Sequence, residues 1–389
     1  MKTDRENRIY LDNAATTRMK EEVLQEMLPF FRETYANPSA IYGFAGEAKR
    51  AVRLARERAA ALIGAKPTEI FFTGSGTESD NWALRSVAET CAEKGKHIVV
   101  SAIEHHAVLH TCRYLEKQGC EVTYLPVDED GKVRPETLEK AVRPDTVLVS
   151  VMAANNEIGT LEPLAEISRI AHGQGALFHT DAVQAYGHVP LDVEEMEIDL
   201  LSASGHKLGG PKGVGILYCR ENLRLQPLLH GGAQERGRRA GTLNVPGIVG
   251  FGKAASLAGQ SLQERMERER CLRDYLIDRV LAEIPHTRLN GHRQDRLPGN
   301  VHFCFRDIEG ESLLILLDQK GICGSGGSAC TSGAIDPSHV LLALGLSPEI
   351  ARGSLRLTLS EENTMEELDN TVEALKEIVE RLRALKAGL

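Results

Sequence analysis

Lys207 lies in Ser202-Ala203-Ser204-Gly205-His206-Lys207-Leu208-Gly209-Gly210-Pro211-Lys212-Gly213, where an apolar approach, Asp199-Leu200-Leu201, meets small polar residues and then a glycine-rich turn. Small neighbours let a bulky group come close to the backbone. Lysine is also the side chain that forms Schiff bases once burial or a neighbouring cation lowers its pKa. Alone, the motif fits a solvated lysine in a glycine-rich loop better. The second reactive candidate is Cys330, in Gly324-Ser325-Gly326-Gly327-Ser328-Ala329-Cys330-Thr331-Ser332-Gly333. Nothing in that run has the bulk to pack a core. The sequence therefore predicts a mobile, exposed loop whose cysteine is there for its thiolate chemistry.

Thr73-Gly74-Ser75-Gly76-Thr77-Glu78-Ser79-Asp80-Asn81 reads as strand, glycine-rich turn and helix start. That arrangement leaves free N–H groups and a helix dipole to hold a phosphate. It is neither a Walker loop nor the dinucleotide fingerprint. An ordinary capped helix also fits, since Thr77, Ser79 and Asp80 cap well.

Four more polar sets follow apolar, strand-like runs: Glu104-His105-His106, Asn155-Asn156-Glu157, His179-Thr180-Asp181-Ala182-Val183-Gln184 and Ser204-Gly205-His206-Lys207. The runs themselves are Glu69–Thr73, His97–Ser101, Glu121–Leu125, Val147–Ala153, Ala176–Thr180, Leu200–Ala203 and Gly215–Cys219. Helical patterns over Lys20–Thr34, Gly46–Gly64, Val108–Gln118 and Leu164–Gly173 intervene or precede. Alternation of this kind predicts an α/β fold with a mainly parallel seven-stranded sheet covered on both faces. Ligands of such sheets collect at the carboxyl ends of the strands, where all four polar sets would lie.

Beyond about residue 262 a charged helix (Gln263–Ile284), strands Val301–Phe305 and Ser354–Leu359, and a final amphipathic helix capped by Thr364 and Glu367 suggest a smaller α+β domain. The expected division is 16–262 for the large domain, and 1–15 with 263–389 for the small one. His230–Thr242 is arginine- and glycine-rich, too polar for a core.

A net charge of −9 with both signs spread along the chain argues against a nucleic-acid-binding face. Met1–Arg8 lacks an apolar signal-peptide core, and no apolar run approaches a membrane span. Eight scattered cysteines without a C-x-x-C pair suggest free thiols in a reducing cytoplasm. His106, His110 and Cys112 were weighed as metal ligands, but no fourth ligand has suitable spacing, and no metal site is assigned.

A Schiff-base lysine, an acid and a phosphate nest at one sheet edge match the needs of pyridoxal phosphate. Lys207 would form the Schiff base and Asp181 would keep the ring nitrogen protonated. Gly76, Thr77, Ser204 and His206 would hold the phosphate, His105 would stack on the ring, and Gln184 and Asn156 would bond its hydroxyl.

With those motifs in order over nearly the whole chain, the sequence resembles the class-I cysteine desulfurases, fold-type-I pyridoxal-phosphate enzymes of the NifS and IscS type. The resemblance is carried by Leu11-Asp12-Asn13-Ala14-Ala15-Thr16-Thr17, Gly76-Thr77-Glu78-Ser79-Asp80, Glu104-His105 and Asn155-Asn156-Glu157-Ile158-Gly159-Thr160. It continues through His179–Gln184, Ser204-Gly205-His206-Lys207, Glu235-Arg236-Gly237-Arg238-Arg239-Ala240-Gly241-Thr242 and Gly327-Ser328-Ala329-Cys330-Thr331-Ser332.

The resemblance implies removal of sulfur from L-cysteine to leave L-alanine, with Lys207 as base, Cys330 taking the sulfur as a persulfide and His105 aiding proton transfer. It implies that Arg356 and Asn156 bind the substrate, that Gly205 belongs to the cofactor site, and that Thr242 reaches the other subunit's phosphate in a homodimer. It further implies an iron–sulfur scaffold or other acceptor protein as partner, and Cys330 as a transient iron–sulfur ligand. The chain departs from the pattern at Gly326, where a second serine is usual, and at Ser360-Glu361-Glu362, which lacks the usual arginine.

Overall fold

In the computed structural model, residues 8–326 and 337–387 are described. A two-residue strand β1 (Ile9–Tyr10) opens the chain. Seven β-rich segments then build one sheet: β2 (Ile70–Thr73), β3 (His97–Ser101), β4 (Glu121–Leu125), β5 (Thr146–Ser150), β6 (Leu177–Asp181), β7 (Leu200–Ser204) and β8 (Gly215–Cys219). Their order is β2-β8-β7-β6-β5-β3-β4. Strands β7, β6, β5, β3 and β4 pair in parallel, while β8 runs antiparallel to both β7 and β2. The expected α/β class and mainly parallel sheet are therefore what the chain adopts.

Period-two alternation explains why both faces are covered. Along β3, Val99 joins one apolar cluster while Ile98 and Val100 join the other. Along β7, Leu200 goes one way and Leu201 and Ala203 the other. The inner strands are fully buried or nearly so, as expected of a sheet with helices on both sides, whereas edge strand β4 (Glu121–Leu125) is partly exposed. The polar residues are displaced to the ends of the sheet.

Several boundaries differ from the sequence reading. The helix expected over Lys20–Thr34 breaks into Glu21–Met27 and Pro29–Arg32, because Pro29 has no N–H to give and begins a new helix instead. The strand expected over Val147–Ala153 has its assigned ladder end at Ser150, although Val151 and Ala153 still donate to the carbonyls of His179 and Asp181. A helix over Val245–Gln260 was not anticipated, since its glycines read as breakers. Those glycines are there for close approach: a Cβ on Gly252 would lie 2.4 Å from Ala55 Cα of the helix Gly46–Ala61. The polar run around Glu235 is not all surface. Glu235 is buried, accepts from the Phe72 N–H of edge strand β2 at 2.9 Å and pairs with Arg56 at 2.6 Å.

A second apolar core surrounds a three-stranded antiparallel sheet of β9 (Thr287–Leu289), β10 (Asn300–Phe305) and a later strand, with β10 in the middle. Next come β11 (Ile322–Cys323), which pairs in parallel with β1, and β12 (Ser354–Thr358), the third strand of that sheet. Leu11 of the N-terminal segment is buried in this core with Leu276, Phe303, Leu357 and Val372. The final helix, Met365–Ala387, buries Leu368, Val372, Leu375 and Val379 as its pattern predicts, but Met365 is exposed. The capping box holds: Thr364 N–H donates to Glu367 Oε2 at 3.0 Å, and Glu367 N–H to Thr364 Oγ1 at 3.2 Å. Among the described residues no helix is long and apolar enough to cross a membrane.

Candidate active site

A cavity of about 410 Å³ opens at the carboxyl ends of β5, β6 and β7. Of the residues singled out in the sequence, Gly76, Thr77, His105, Asn156, Asp181, Gln184, Ser204, His206, Lys207 and Arg356 all line it. A larger open groove, about 1130 Å³, runs between Arg8, Lys320 and the acidic face of the last helix. It carries charges of both signs, its Lys320 and Lys376 ammoniums are paired with Glu377, Glu283 and Glu373, and none of the site residues singled out in the sequence lines it.

Lys207 ends a short turn, Gly205–Lys207, directly after β7. Its Nζ donates to the carbonyls of Ala14 at 2.5 Å and Ala15 at 2.8 Å. The N-terminal segment thus crosses the cavity floor, and Gln184 Nε2 reaches the same Ala14 carbonyl at 3.0 Å. Gly205 does not line the cavity. It is buried, and a Cβ there would come within 2.9 Å of the Pro211 carbonyl, so its place is set by packing.

Asp181 closes β6 and is 4% exposed, with Oδ1 accepting the Val183 N–H at 2.9 Å. Burial pushes its carboxyl up, while His105, that backbone N–H and Lys207 pull it back down. His105 is the N-cap of the helix His106–Lys117, its Nδ1 accepting from Ala107 N–H at 3.1 Å. That bond fixes Nδ1 as an acceptor, so in the neutral ring Nε2 carries the proton.

The helix Gly76–Thr90 begins at the cavity wall, capped by Ser75 Oγ, which accepts from Glu78 N–H at 3.1 Å. Gly76 is obligatory there, because a Cβ would sit 2.5 Å from Val183 Cγ2. Thr77 is exposed, so its hydroxyl is open to an anion; of the first-turn N–H groups, those of Glu78 and Ser79 are taken by Ser75, which leaves those of Gly76 and Thr77 for it. His206 faces Thr16 Oγ1 through Nδ1 at 3.2 Å, and burial with the nearby Lys207 and Lys212 charges pushes it down to about 4. It is neutral at pH 7.

Asn155 organises the turn that presents Asn156. Its amide donates to the Ile103 carbonyl at 2.9 Å, and its Oδ1 accepts from Glu157 and Ile158 N–H at 2.9 and 3.0 Å. From β12, Arg356 reaches in with Nη1 on the Asn156 carbonyl at 3.0 Å and Nη2 on Asp12 Oδ1 at 2.8 Å. It is 2% exposed, and its Nε is a buried donor without a partner among the described residues.

Cys330 lies outside the described residues, and so does Ser328. The chain on either side of that segment is held at the cavity rim. Ser325 exchanges backbone bonds with Arg356 at 3.0 and 2.6 Å, and Gly326 O accepts from Ser354 Oγ at 3.1 Å. Ser338 Oγ donates to Glu157 Oε2 at 2.5 Å, and His339 Nε2 meets the Glu104 carbonyl at 3.0 Å.

Thr242 is exposed and lies outside the cavity lining. Sequence reasoning gave no site role to Asp80, Glu157 or His339, which also line the cavity. Asp80 was read as a capping residue and as part of the Gly76–Asp80 motif, though a carboxylate one turn into an apolar helix face was a signal. Cys112 is fully buried among Val108, Leu115 and β3, with its thiol pushed up by burial, while His106 and His110 stack at 5.0 Å nearer the surface.

A lysine turn and a buried aspartate at the carboxyl edge of a mainly parallel sheet define the α/β class to which the comparisons point. A family profile described as Aminotransferase class-V matches residues 9–371. The protein named cysteine desulfurase IscS of Methanosarcina thermophila is 56% identical over 375 residues, 96% of this chain and 93% of that one. Its namesake from Clostridium botulinum (strain Hall) is 53% identical over 379 residues, 97% of this chain and 96% of the other. Among solved structures, a NifS-like protein superposes with a TM-score of 0.89 at 43% identity, covering 96% of this chain and 99% of that one. SspA in complex with cysteine superposes with a TM-score of 0.80 at 36% identity, covering 92% and 100%. The chain belongs to the class-V aminotransferase family, in its cysteine desulfurase branch.

Proposed function

We propose that the chain removes sulfur from L-cysteine, leaving L-alanine and a persulfide on Cys330, with pyridoxal 5′-phosphate in the cavity described above. One observation carries this: a single cavity gathers Lys207, the buried Asp181, an open helix N-terminus and Arg356, with both flanks of the Cys330 segment on its rim.

The residues present fit the cofactor. Gly76 is a position that a Cβ would fill, Thr77 is open to solvent, and a buried acid faces the cavity where a ring nitrogen needs one. The Gly76 and Thr77 N–H groups with the Thr77 hydroxyl, Ser204 and neutral His206 would hold the phosphate, Gln184 and Asn156 the ring hydroxyl, and His105 one face of the ring. Bound there, the cofactor would supply an electron sink for charge developing at the substrate's Cα.

Arg356 supports substrate binding because its buried Nε, a donor suited to a carboxylate, still lacks a partner among the described residues. Lys207 would take the Cα proton, with His105 as its neighbour for proton transfer. Cys330 as thiolate would attack the substrate's sulfur: the S–S bond forms as the C–S bond breaks, the bonding pair stays on carbon, and a proton completes alanine. From Gly326, Cys330 is four residues away, which spans at most about 14 Å, enough to enter the cavity or to meet an acceptor outside it. That acceptor would be an iron–sulfur scaffold or another sulfur-accepting protein.

A homodimer is the second part of the reading. Tyr35 at 69% and Ile41 at 103% exposure, with Phe31, Tyr42 and Phe44, leave an apolar surface on residues 31–44, and Thr242 is presented away from its own cavity. The apolar clusters on the faces of the large sheet, separate from the one around the three-stranded sheet, support the division into domains 16–262 and 1–15 with 263–389, with Met266 and Leu297 packing across it, and free cysteines suit a cytoplasmic setting.

The test is purified protein with L-cysteine and a thiol reductant, read by absorbance, alanine and sulfide, beside Cys330→Ala and Lys207→Ala. Wild type should be yellow and release both products. Cys330→Ala should keep the cofactor and release no sulfide. Lys207→Ala should lose at least about 10²–10⁴-fold in turnover. Sulfide release by Cys330→Ala at the wild-type rate would exclude the persulfide route, and a wild type that binds no cofactor would exclude the enzyme reading.

A further inference from the structure

Below the cavity floor, the helix Gly76–Thr90 lowers Asp80 onto the ends of β6 and β7. Asp80 is 1% exposed, and its Oδ1 has no hydrogen-bond partner among the described residues. Carboxylate oxygens of Asp80 and Asp181 and a ring nitrogen of His105 all lie within 4.8 Å of one another. Two buried carboxylates at that distance cannot both be charged cheaply, because like charges in a poorly solvated site repel strongly.

The neighbours decide which one ionises. Besides His105, the ring of His179, on the same face of β6 as Asp181, lies near Asp80, with Nε2 3.7 Å from Asp80 Oδ1. Its nitrogens are already taken up by Ser150 Oγ at 2.8 Å and Ser202 Oγ at 3.1 Å, and burial pushes the ring down to about 3. His179 is therefore neutral and cannot balance a charge on Asp80. Glu104, also buried and itself pushed well up by burial, brings no positive charge to Asp80, and its Oε2 has no partner among the described residues. Only the Ser202 hydroxyl favours a charge on Asp80. Asp181 is better served, by Val183 N–H, His105 and Lys207.

We propose that Asp80 is a positioning residue for the cavity floor: the protonated member of a buried carboxyl pair whose charged member is Asp181. As a neutral acid it is a hydrogen-bond donor facing Asp181, so that the pair presents a single, oriented negative charge to whatever cation occupies the cavity. The statement about Asp80's proton stands on the protein alone. Its consequence for a ring nitrogen rests on the cofactor reading above.

The experiment compares wild type, Asp80→Asn and Asp80→Ala by infrared spectroscopy of the cofactor-free protein at neutral pH, then measures binding of pyridoxal 5′-phosphate to each. In Asp80→Asn the carbonyl stretch of one protonated, buried carboxyl should disappear, and ionised-carboxylate bands should stay. Because the amide is a neutral donor of the same shape, this variant should keep cofactor affinity near the wild-type value. Asp80→Ala, which removes the donor, should bind about tenfold more weakly. Burial also pushes up the Glu104, Glu162 and Glu269 carboxyls, so some protonated-carboxyl signal remains in every variant. A signal in Asp80→Asn undiminished from wild type overturns the proposal, as does an affinity loss in Asp80→Asn equal to that in Asp80→Ala. If Asp80→Ala does not fold, the infrared difference from Asp80→Asn decides alone. A wild type that binds no cofactor removes the cofactor reading and leaves the infrared result standing.

Discussion

The cavity has two walls built in different ways. On the large-sheet wall every group sits at a strand end or a helix start: Asp181 on β6, Lys207 on the turn after β7, His105 and Gly76 at helix N-termini. On the opposite wall, Arg356, Ser325 and His339 are held by bonds across long stretches of chain, such as Arg356 to Asp12 and Ser338 to Glu157. Local backbone geometry fixes the first wall, and tertiary hydrogen bonds with one ion pair fix the second. Under the proposed function the cofactor's requirements would fall on the first, and the substrate's and sulfur's on the second, so substitutions on the two walls should separate cofactor binding from turnover.

The largest such separation should come from Arg356→Lys. A point charge cannot reproduce the guanidinium's fixed fork, and the Asp12 and Asn156 contacts would compete for one ammonium. KM for L-cysteine should rise about 10- to 100-fold while cofactor content and the visible band stay unchanged. Loss of the band in this variant would show that the two walls are not separable.

Gly76→Ala attacks the other wall. The new methyl must displace Val183, which shares the turn after Asp181, so overpacking should cost about 1–3 kcal/mol. Cofactor affinity measured by equilibrium dialysis should fall, with KM for L-cysteine of the loaded fraction little altered. An unchanged affinity would mean that the helix start is no part of the anion site.

The same contrast explains what was legible in the sequence. The large-sheet wall could be read directly, because strand runs and polar ends such as His179–Gln184 are contiguous, and a strand's carboxyl end is where ligands collect. Arg356 came only from the family resemblance: within Ser354–Thr358 it looks like any polar residue on a strand, and its partner Asp12 lies 344 residues away. Asp80 was missed because its helix start satisfied a capping pattern, and burial of a carboxylate shows only when the helix is docked on the sheet. The helix Val245–Gln260 was missed because close packing on Ala55 overrides glycine's poor propensity.

Asp12→Asn tests the long-range wall more gently. Asp12 is partly exposed, so the discounted loss of its ion pair with Arg356 should be about 1 kcal/mol, seen as a lowered denaturation midpoint and a smaller KM rise than in Arg356→Lys. Should KM rise as much as in Arg356→Lys, Asp12 would itself be part of the substrate contact.

The smallest effect should arise at the seam between the walls, behind Lys207. His188 Nε2 lies 2.7 Å from the Lys207 carbonyl, as a donor in the neutral ring, and burial with the Arg265 charge pushes the ring down to about 4. The unfolded chain, with an ordinary histidine near 6.5, binds the proton more readily. Between pH 6.5 and 4 the unfolded state therefore holds more protons, so the contribution is intact above pH 6.5, falls as pH drops through that window, and levels near pH 4. His188→Gln keeps a donor for the Lys207 carbonyl but cannot titrate. The loss of stability between pH 7 and pH 6 should then shrink by about half a kcal/mol relative to wild type, measured from denaturant midpoints at each pH. An unchanged acid slope would place that proton uptake on other buried rings, with His206 of the cofactor wall, also pushed down to about 4, the first to substitute.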